Sequence, residues 1–486
     1  MPKELNNKLI FWVLIAIFLL LQIPFLDSVR HIIVDESSYS NVAYNFSTGN
    51  GFVNTNVGSM GGDICFLYPL IEGLFFFVFG TTLYIARFVS VVAGIFSVYG
   101  FLLILKYLKI KNSFKYLSVI LLLFSYNYYV LFRFARPEAW VFCFFIWMIY
   151  FQLKYWEERK KIYIFITGVF AGLSFLTHPW GLSFIFLFGV YYIIISVKQK
   201  NLLPVILYSF GIAPTVLAVL LNALVISGIP VKSFLSQFEN RSAIINSGQE
   251  YLLKAKLSFM EMFKKYNLTG GRFYILLFHS FITFYGLSFF KKNITIFRFS
   301  LIQISLVFIS LVFFNGSGIE LMLQFIFAFT FLNVALLLND INVKPVLTKT
   351  IFVLAFLFFC NNVFGIYSII KKESGNPFSE VSENINKYVP KSTVVLSPLE
   401  FWLPFKENEF YNSNFSWEFK KYKTLTELLE SKNLDYIIQA DDVDFIQTEE
   451  NIKAMEKYIT DNGTLIASFA TKNYGTISIW KVKKSE

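Results

Sequence analysis

The sequence predicts a polytopic α-helical membrane protein that ends in a small α/β domain, and three observations lead to this fold class. The 486 residues are 56% hydrophobic and 15% charged, with a mean hydropathy of +0.56, whereas soluble domains are about a quarter charged. Apolar runs close to the roughly 20 residues that cross a bilayer recur as far as Ile370. After Lys372 the composition changes to the alternating pattern of a compact domain.

The apolar runs predict about eleven transmembrane helices, since each run approaches the length of a span. A further run, Leu67–Gly80, is shorter and contains Pro69 and Glu72, so we expect it to be re-entrant or interfacial. The predicted spans are Leu9–Phe25, Leu83–Leu105, Tyr116–Leu131, Ala139–Leu153, Tyr163–Leu176, Gly181–Ile195, Leu203–Ile226, Phe273–Phe290, Phe299–Phe314, Leu321–Leu338 and Thr350–Ile370.

The net charge of +11 is first an orientation signal. Most lysines and arginines fall in the predicted inner segments, whereas the short outer segments carry only Arg30, Arg133 and Arg136. This asymmetry predicts a cytoplasmic N-terminus and an extracytoplasmic C-terminal domain in the plasma (inner) membrane. The basic residues are dispersed over short loops, so we expect no nucleic-acid partner. A composition rich in Phe, Ile, Lys and Asn indicates a bacterial source.

The predicted organisation is a transmembrane domain over residues 1–372 and an α/β domain over residues 373–486. A first outer loop, 27–66, carries an acidic motif, and a long outer loop covers 227–271. After a linker at 373–377, the C-terminal domain is expected to be structural or to recruit the acceptor. Its predicted strands are Ser392–Ser397, Tyr436–Gln439, Thr464–Phe469 and Thr476–Val482, and its predicted helices are Leu425–Glu430 and Asn451–Tyr458.

Polar and ionisable side chains beside the spans are the candidates for function, because such groups are costly near a bilayer. The stretch His31–Tyr39 follows the first span and contains two adjacent carboxylates. The predicted topology brings the candidates to one membrane face. They are Asp35, Glu36, Tyr39, Asp63, Tyr68, Arg87, Arg133, Arg136, Glu138, His178 and Arg272.

This set suits the transfer of a sugar from a lipid-phosphate donor to a hydroxyl group. A carboxylate such as Asp35 acts as a general base on the acceptor hydroxyl. Arginines suit the phosphate leaving group, since their planar fork matches its oxygens. An apolar groove between helices holds the lipid of the donor. The expected partners are therefore the lipid-linked donor, membrane lipids and an acceptor protein, lipid or glycan.

Each candidate also has a structural interpretation. Asp35 and Glu36 are equally consistent with solvated loop charges, and Arg87 with a structural partner of either one. Arg133 and Arg136 suit lipid head groups, Glu138 suits a helix N-terminus and His178 a helix cap. Tyr68 suits the interfacial aromatic belt. The sequence also leaves open which of Asp35 and Glu36 is the base.

A divalent metal is possible at Asp35, Glu36 and His178, although no ligand spacing supports it. Cys65, Cys143 and Cys360 are scattered, so neither a disulfide framework nor a metal cluster is indicated. The sequence has no phosphate-binding glycine-rich loop, zinc-protease motif or nucleophile elbow. Their absence disfavours a nucleotide-driven pump and a serine hydrolase.

Four motifs together resemble the glycosyltransferases of the GT-C fold, in particular family 39-like enzymes such as protein O-mannosyltransferases and the lipid A aminoarabinose transferase. The resemblance covers about Leu9–Val197. The matching motifs are Asp35-Glu36-x-x-Tyr39, Ala86-Arg87-Phe-Val-Ser-Val-Val-Ala-Gly94, Ala135-Arg136-Pro137-Glu138-Ala139 and Gly172-Leu-Ser-Phe-Leu-Thr177-His178-Pro179.

The resemblance implies a polyprenyl-phosphate-linked sugar donor and inversion at the anomeric carbon. It further implies that Asp35 is the base and that Arg87 and Arg136 bind phosphate or order the site. The chain departs from the family at Tyr68-Pro69, where many relatives have Pro-Pro, and at His178, where many have Lys. These departures concern recognition of the donor head group and the role of His178.

Two other functions are weighed against this one. A flippase or transporter for lipid-linked saccharides needs polar groups at the membrane midplane, whereas the candidates here cluster at the ends of spans. An oligosaccharide polymerase or ligase needs Arg and His in a large late outer loop, and Ser227–Gly271 contains Arg241 but no histidine. The sequence does not specify the sugar, the acceptor or the oligomeric state.

Overall fold

A computed structural model describes residues 2–55, 65–222, 273–289, 291–313, 316–340, 343–413, 424–442 and 449–483. The chain divides into two compact units. The first, here called the helical unit, comprises Met1–Gln22, Val91–Phe132 and Pro137–Ser368. The second, the mixed unit, comprises Ile23–Ser90, Arg133–Arg136 and Ile369–Glu486. The long predicted outer loop 227–271 lies outside the described residues.

The described chain is predominantly helical, as expected. Among the described residues, five helices are long and apolar enough to cross a membrane: Leu83–Tyr107, Glu138–Glu158, Gly181–Gln199, Leu203–Leu221 and Pro345–Glu373. Several shorter apolar helices accompany them, in keeping with a multi-pass membrane protein. The helices are α1 Pro2–Gln22, α2 Val34–Ser47, α3 Leu67–Phe79, α4 Leu83–Tyr107, α5 Asn112–Leu123, α6 Tyr126–Leu131, α7 Glu138–Glu158, α8 Ile162–Thr177, α9 Gly181–Gln199, α10 Leu203–Leu221, α11 Phe273–Leu287, α12 Ile294–Phe313, α13 Gly316–Asn339, α14 Pro345–Glu373, α15 Phe378–Asn386, α16 Leu425–Ser431 and α17 Glu449–Asn462.

Small residues let helices α8 and α10 of the helical unit approach closely. A Cβ atom on Gly168 would lie 2.3 Å from the Tyr208 carbonyl oxygen, and one on Gly211 would lie 2.3 Å from that of Phe165. Close backbone approach at glycine is a common way for apolar helices to associate, because lipid provides no hydrophobic drive between them. These two helices therefore form a tightly packed pair.

The third predicted span, Tyr116–Leu131, is not one continuous helix. Helix α5 ends at Leu123 and α6 begins at Tyr126. The amide of Tyr126 donates a hydrogen bond to Asn362 Oδ1 at 2.7 Å, so a side chain of another helix satisfies a backbone group at the interruption. Hydropathy alone does not detect such a break, since both halves are apolar.

The first outer segment was expected to be a polar loop, but much of it forms helix α2. Asp35 and Glu36 occupy the first turn, where negative charge is favourable against the helix dipole. The Glu36 carboxylate also accepts a hydrogen bond from the Ile33 amide at 3.2 Å, which satisfies a donor at the helix start. Ser37 and Ser40 are buried, so α2 is a polar helix packed inside the mixed unit.

The C-terminal part of the mixed unit contains a five-stranded sheet of order β2-β1-β3-β5-β4. Strand β1 pairs in parallel with β2 and β3, whereas β5 pairs antiparallel with β3 and β4. One apolar core includes Phe378, Phe401 and Trp402, and another includes Leu396 and Leu428. The strands are β1 Val394–Ser397, β2 Glu409–Asn412, β3 Tyr436–Ala440, β4 Gly463–Thr471 and β5 Gly475–Val482.

The predicted small α/β domain is thus confirmed, with two elements added. Strand β2 and helix α15 were not predicted. Helix α15 begins just after Pro377, in a stretch that was expected to be close to a linker. Residues Ile23–Ser90 belong to the same compact unit as this sheet. The expected domain boundary between 372 and 373 remains a prediction.

Candidate active site

A buried ion pair between Glu36 and Arg87 forms the base of the site. Both side chains are 1% exposed. Arg87 Nε lies 2.9 Å from Glu36 Oε1, and Arg87 Nη2 lies 3.0 Å from Glu36 Oε2. This is a bidentate contact, which fixes orientation as well as charge. Arg87 Nη1 also donates to the carbonyl oxygens of Leu26 at 2.9 Å and Val29 at 3.1 Å.

The Glu36 carboxylate is saturated with hydrogen bonds. In addition to Arg87, Oε1 accepts from the Ala135 amide at 2.8 Å, and Oε2 accepts from the Ile33 amide at 3.2 Å. A buried carboxylate with both oxygens engaged has no accessible lone pair for a substrate proton. Glu36 therefore joins three chain segments, those of Ile33, Arg87 and Ala135.

Asp35 differs from its neighbour in both exposure and partners. Its side chain is 54% exposed, and its Oδ2 lies 3.1 Å from Arg136 Nη2. The Arg136 guanidinium is thus the charged partner of the Asp35 carboxylate. Asp35 is the second residue of α2 and directly precedes Glu36, which anchors the start of the helix. The arrangement presents one accessible carboxylate on a fixed backbone.

The segment Arg133–Arg136 supplies the other wall of the site. Arg133 Nη2 donates to the Pro24 carbonyl oxygen at 2.9 Å, and Ser90 Oγ donates to the Phe134 carbonyl oxygen at 2.6 Å. The guanidinium carbons of Arg30 and Arg87 lie 5.4 Å and 5.5 Å from the centroid of the Phe134 ring, within the range of cation–π attraction. Contacts of the whole segment with the mixed unit thus position Arg136 against Asp35.

Tyr39 of α2 and Tyr68 of α3 contact each other. Their rings meet edge to face at a centroid distance of 5.6 Å, and Tyr68 is fully buried. The next residue of α2, Ser40, donates through its Oγ to Glu72 Oε1 at 2.6 Å, and Glu72 is buried as well. Helices α2 and α3 are therefore joined by an aromatic contact and a buried hydrogen bond.

Two candidates, Glu138 and His178, lie in the helical unit. Glu138 is buried and is the first residue of α7. His178 follows α8, and its Nδ1 accepts from the Trp180 amide at 3.2 Å, while the two rings meet edge to face at 5.1 Å. Their expected roles toward the donor remain predictions. Asp63 and Arg272 lie outside the described residues.

Some residues of the site were not among the sequence candidates. Tyr474, from the turn between β4 and β5, accepts a hydrogen bond from the Ile32 amide through its hydroxyl at 3.1 Å. Burial raises the pKa of this phenol, so the hydroxyl stays protonated. Phe134 contributes its ring, and Ala135 contributes its backbone amide. Spacing in the sequence gives no indication of these contacts, since the partners of Tyr474 lie more than 400 positions away.

No group of three or more His, Cys, Asp or Glu side chains among the described residues is arranged to hold a metal ion. Of the three residues considered for a metal, Glu36 has both oxygens engaged by Arg87 and backbone amides. The described residues therefore give no support to the divalent metal considered at Asp35, Glu36 and His178, and no chemical step is derived through one.

Comparison with known proteins identifies the fold. The model of the dolichyl-phosphate-mannose-protein mannosyltransferase family matches residues 63–225. The crystal structure of ArnT from Cupriavidus metallidurans bound to undecaprenyl phosphate superposes with a TM-score of 0.63 at 12% identity, over 98% of this chain and 99% of that one. Its apo state gives 0.62 at 11% identity, over 99% and 100% of the two chains.

The chain has the GT-C fold. A cryo-EM structure of the arabinofuranosyltransferase AftD from Mycobacteria agrees, with a TM-score of 0.56 and 11% identity. That match covers 98% of this chain but 40% of AftD. No curated protein sequence matches the chain. The expected GT-C architecture, including the small C-terminal sheet domain, is confirmed at the level of the fold.

Proposed function

We propose that this GT-C protein is a membrane glycosyltransferase that moves a sugar from a polyprenyl-phosphate donor to an acceptor hydroxyl. The observation that carries the proposal is the accessible Asp35 carboxylate, which pairs with Arg136. The buried Glu36–Arg87 ion pair fixes the backbone on which this contact depends. The shared fold adds support, since ArnT has been crystallised with undecaprenyl phosphate. The match to the mannosyltransferase family model adds further support.

Asp35 is the proposed general base. Its exposure lets a hydroxyl group reach the carboxylate, whereas Glu36 is buried with both oxygens engaged. A base must lie within hydrogen-bond reach of the proton that it removes. Of the two adjacent carboxylates, only Asp35 is exposed enough for an acceptor hydroxyl to approach it. Glu36 and Arg87 are then positioning residues, which hold the start of α2 and the loop that carries Arg136.

The proposed reaction is a single displacement with inversion. The acceptor oxygen forms a bond to the anomeric carbon as the bond between that carbon and the phosphate oxygen breaks. The hydroxyl proton passes to Asp35, and the electron pair of the broken bond leaves with the polyprenyl phosphate. The Arg136 guanidinium, 21% exposed, lies where it can exchange between the Asp35 carboxylate and the negative charge that develops on the phosphate.

The other donor-binding residues of the proposal are Arg133, Glu138, His178 and Arg272, with Asp63, Tyr39 and Tyr68 as further candidates. Arg87 is less suited to contact phosphate, because its donors are used by Glu36 and by backbone carbonyl groups. The reaction is proposed for the outer face of the plasma membrane, with the N-terminus in the cytoplasm. The sugar is a hexose or a pentose.

A panel of labelled polyprenyl-phosphate hexoses and pentoses tests the proposal on the purified full chain. An envelope extract supplies acceptors, and the products are separated as transferred sugar and free sugar. Wild type is compared with Asp35→Asn and with Asp461→Asn, a matched change at an exposed aspartate of α17. We expect turnover by wild type and by Asp461→Asn, and its loss in Asp35→Asn with normal thermal unfolding.

Two outcomes would overturn the proposal in different ways. Equal turnover by wild type and Asp35→Asn would remove Asp35 as the base. Absence of turnover with every donor, together with donor movement across vesicles that contain the protein, would favour the flippase instead.

A further inference from the structure

A cavity of about 380 Å³ lies within the mixed unit, and neither Asp35 nor Arg136 is among its lining residues. Four segments form it: the residues that precede α2, the loop that precedes α7, the end of α14 and the β4–β5 turn. Its volume falls within the range of small-molecule sites. Its lining residues are Arg30, His31, Ile33, Phe134, Lys372, Glu373, Lys472 and Asn473.

The wall at Arg30 is held in an unusual backbone conformation. Arg30 has a φ of 65°, in the left-handed region that long side chains rarely adopt. Its amide donates to the Glu373 carbonyl oxygen at 3.0 Å, and the adjacent Val29 forms an isolated antiparallel bridge with Ser374. Strain of this kind persists where the surroundings impose it, and it often marks functional sites.

The wall at the β4–β5 turn is equally fixed. Asn473 Nδ2 donates to the Ser28 carbonyl oxygen at 2.9 Å, and the Gly375 amide donates to the same oxygen at 3.0 Å. A Cβ atom on Gly375 would lie 2.2 Å from Asn473 Oδ1, so a larger residue would displace the turn. Lys472 is therefore attached to a backbone that is anchored to the other walls.

The charge of the cavity is not balanced. Arg30, Lys372 and Lys472 contribute three positive charges, against the single carboxylate of Glu373. That carboxylate already pairs with Arg30 Nε. Lys372 and Lys472 form no ion pair with a carboxylate in the part of the chain that the structure describes. A concave surface with excess positive charge concentrates anions, and lysine ammonium groups are suitable donors to phosphate or carboxylate oxygens.

The cavity shares chain segments with the proposed catalytic pair. Ile33 lines it, two positions before Asp35, and Phe134 lines it, two positions before Arg136. The Phe134 ring lies under the Arg30 guanidinium, so this wall is stiff. The cavity lining therefore comes within two residues, along the chain, of both members of the Asp35–Arg136 pair.

We propose that this cavity binds a phosphate or carboxylate group of the sugar acceptor, so that the acceptor is an acidic molecule. Lys372 and Lys472 contact the acidic group, and the fixed Arg30 backbone shapes the wall. The hydroxyl that receives the sugar then reaches Asp35. This proposal rests on the proposed function, because it defines the substrate class of the same reaction.

The test uses the full chain in zwitterionic nanodiscs, with a donor that wild type hydrolyses. Two matched acceptors are compared, decyl glucoside and decyl glucoside 6-phosphate, and inorganic phosphate is used as a competitor. The variants are Lys372→Gln/Lys472→Gln and the control Lys387→Gln/Lys457→Gln, which removes two exposed lysines elsewhere in the mixed unit. We expect wild type and control to prefer the phosphorylated acceptor.

The measured quantity is the rate of transfer to the phosphorylated acceptor divided by the rate of donor hydrolysis. We expect this ratio to fall roughly tenfold in Lys372→Gln/Lys472→Gln, because charged hydrogen bonds are removed. Inorganic phosphate is expected to inhibit transfer by wild type more strongly than by this variant. Equal use of both acceptors by wild type, or an unchanged preference in the variant, would overturn the proposal. Failure of wild type to hydrolyse any donor would instead overturn the proposed function. Titration of inorganic phosphate binding to wild type and to Lys372→Gln/Lys472→Gln would still test the cavity.

Discussion

At the scale of single residues, two adjacent carboxylates of the same motif have opposite environments. Asp35 is accessible and Glu36 is buried, although the sequence offers both as the base. Their difference arises from Arg87 and Ala135, which lie 51 and 99 positions from Glu36. Local spacing therefore predicts the motif and its chemistry, but long-range contacts determine which carboxylate is available.

The Glu36–Arg87 pair leads to a prediction about stability. Glu36→Gln and Arg87→Met each leave one buried group without its charged partner, which typically costs about 3–5 kcal/mol. Both single variants are expected to unfold at clearly lower temperature than wild type in detergent. In the double variant Glu36→Gln/Arg87→Met, the decrease in unfolding temperature is expected to be smaller than the sum of the decreases in the two single variants, because no unpaired charge remains. Additive losses in thermal unfolding would contradict the proposed pairing.

Arg136 leads to a second residue-scale prediction. Arg136→Lys keeps a positive charge near Asp35 but loses the planar fork that suits phosphate. We expect the rate of sugar release to fall by roughly 10- to 100-fold, with little change in thermal unfolding, since the residue is partly exposed. Single-turnover kinetics on a labelled donor measure this change. An unaltered rate would mean that Arg136 serves only to hold Asp35.

At the scale of elements, helix α2 was the least predictable part of the site. Its sequence, from Val34 to Ser47, is polar and lacks apolar periodicity, so it was expected to be a loop. The helix forms because its polar face is buried against partners such as Glu72 and Thr55, which satisfy its side chains. The strands β1, β3, β4 and β5 were predictable from alternation, whereas the four-residue edge strand β2 was too short to detect.

The packing of α2 on α3 gives a prediction for Gly73. A Cβ atom at this position would lie 2.7 Å from both the Ala43 carbonyl oxygen and Phe46 Cδ1, and the backbone atom cannot move freely. Gly73→Ala is therefore expected to separate the helices and to lower both the unfolding temperature and turnover. The control is Gly189→Ala in α9, whose nearest neighbouring atom lies 3.8 Å away. Equal effects of the two changes would contradict the close approach of α2 and α3.

At the scale of the whole molecule, hydropathy was sufficient to predict a polytopic helical membrane protein. The asymmetric distribution of basic residues also predicts its orientation in the membrane, which can be tested. In a variant whose exposed native cysteine is removed by Cys360→Ser, a single cysteine is placed at Lys457 or at Lys109. We expect a membrane-impermeant thiol reagent added to intact cells to label Lys457→Cys and to label Lys109→Cys only after permeabilisation. Both positions are exposed. The reverse pattern would contradict the outer location of the C-terminal domain.

Separating donor binding from chemistry in Asp35→Asn tests whether Asp35 is the base while the Glu36–Arg87 pair only positions the site. Equilibrium binding of a labelled polyprenyl-phosphate sugar and its single-turnover transfer are measured on the same preparation as wild type. We expect Asp35→Asn to have a similar dissociation constant for the donor and a transfer rate lower by roughly 100- to 10,000-fold, the usual contribution of a general base. An unchanged transfer rate, or loss of donor binding with normal chemistry in the bound fraction, would contradict it.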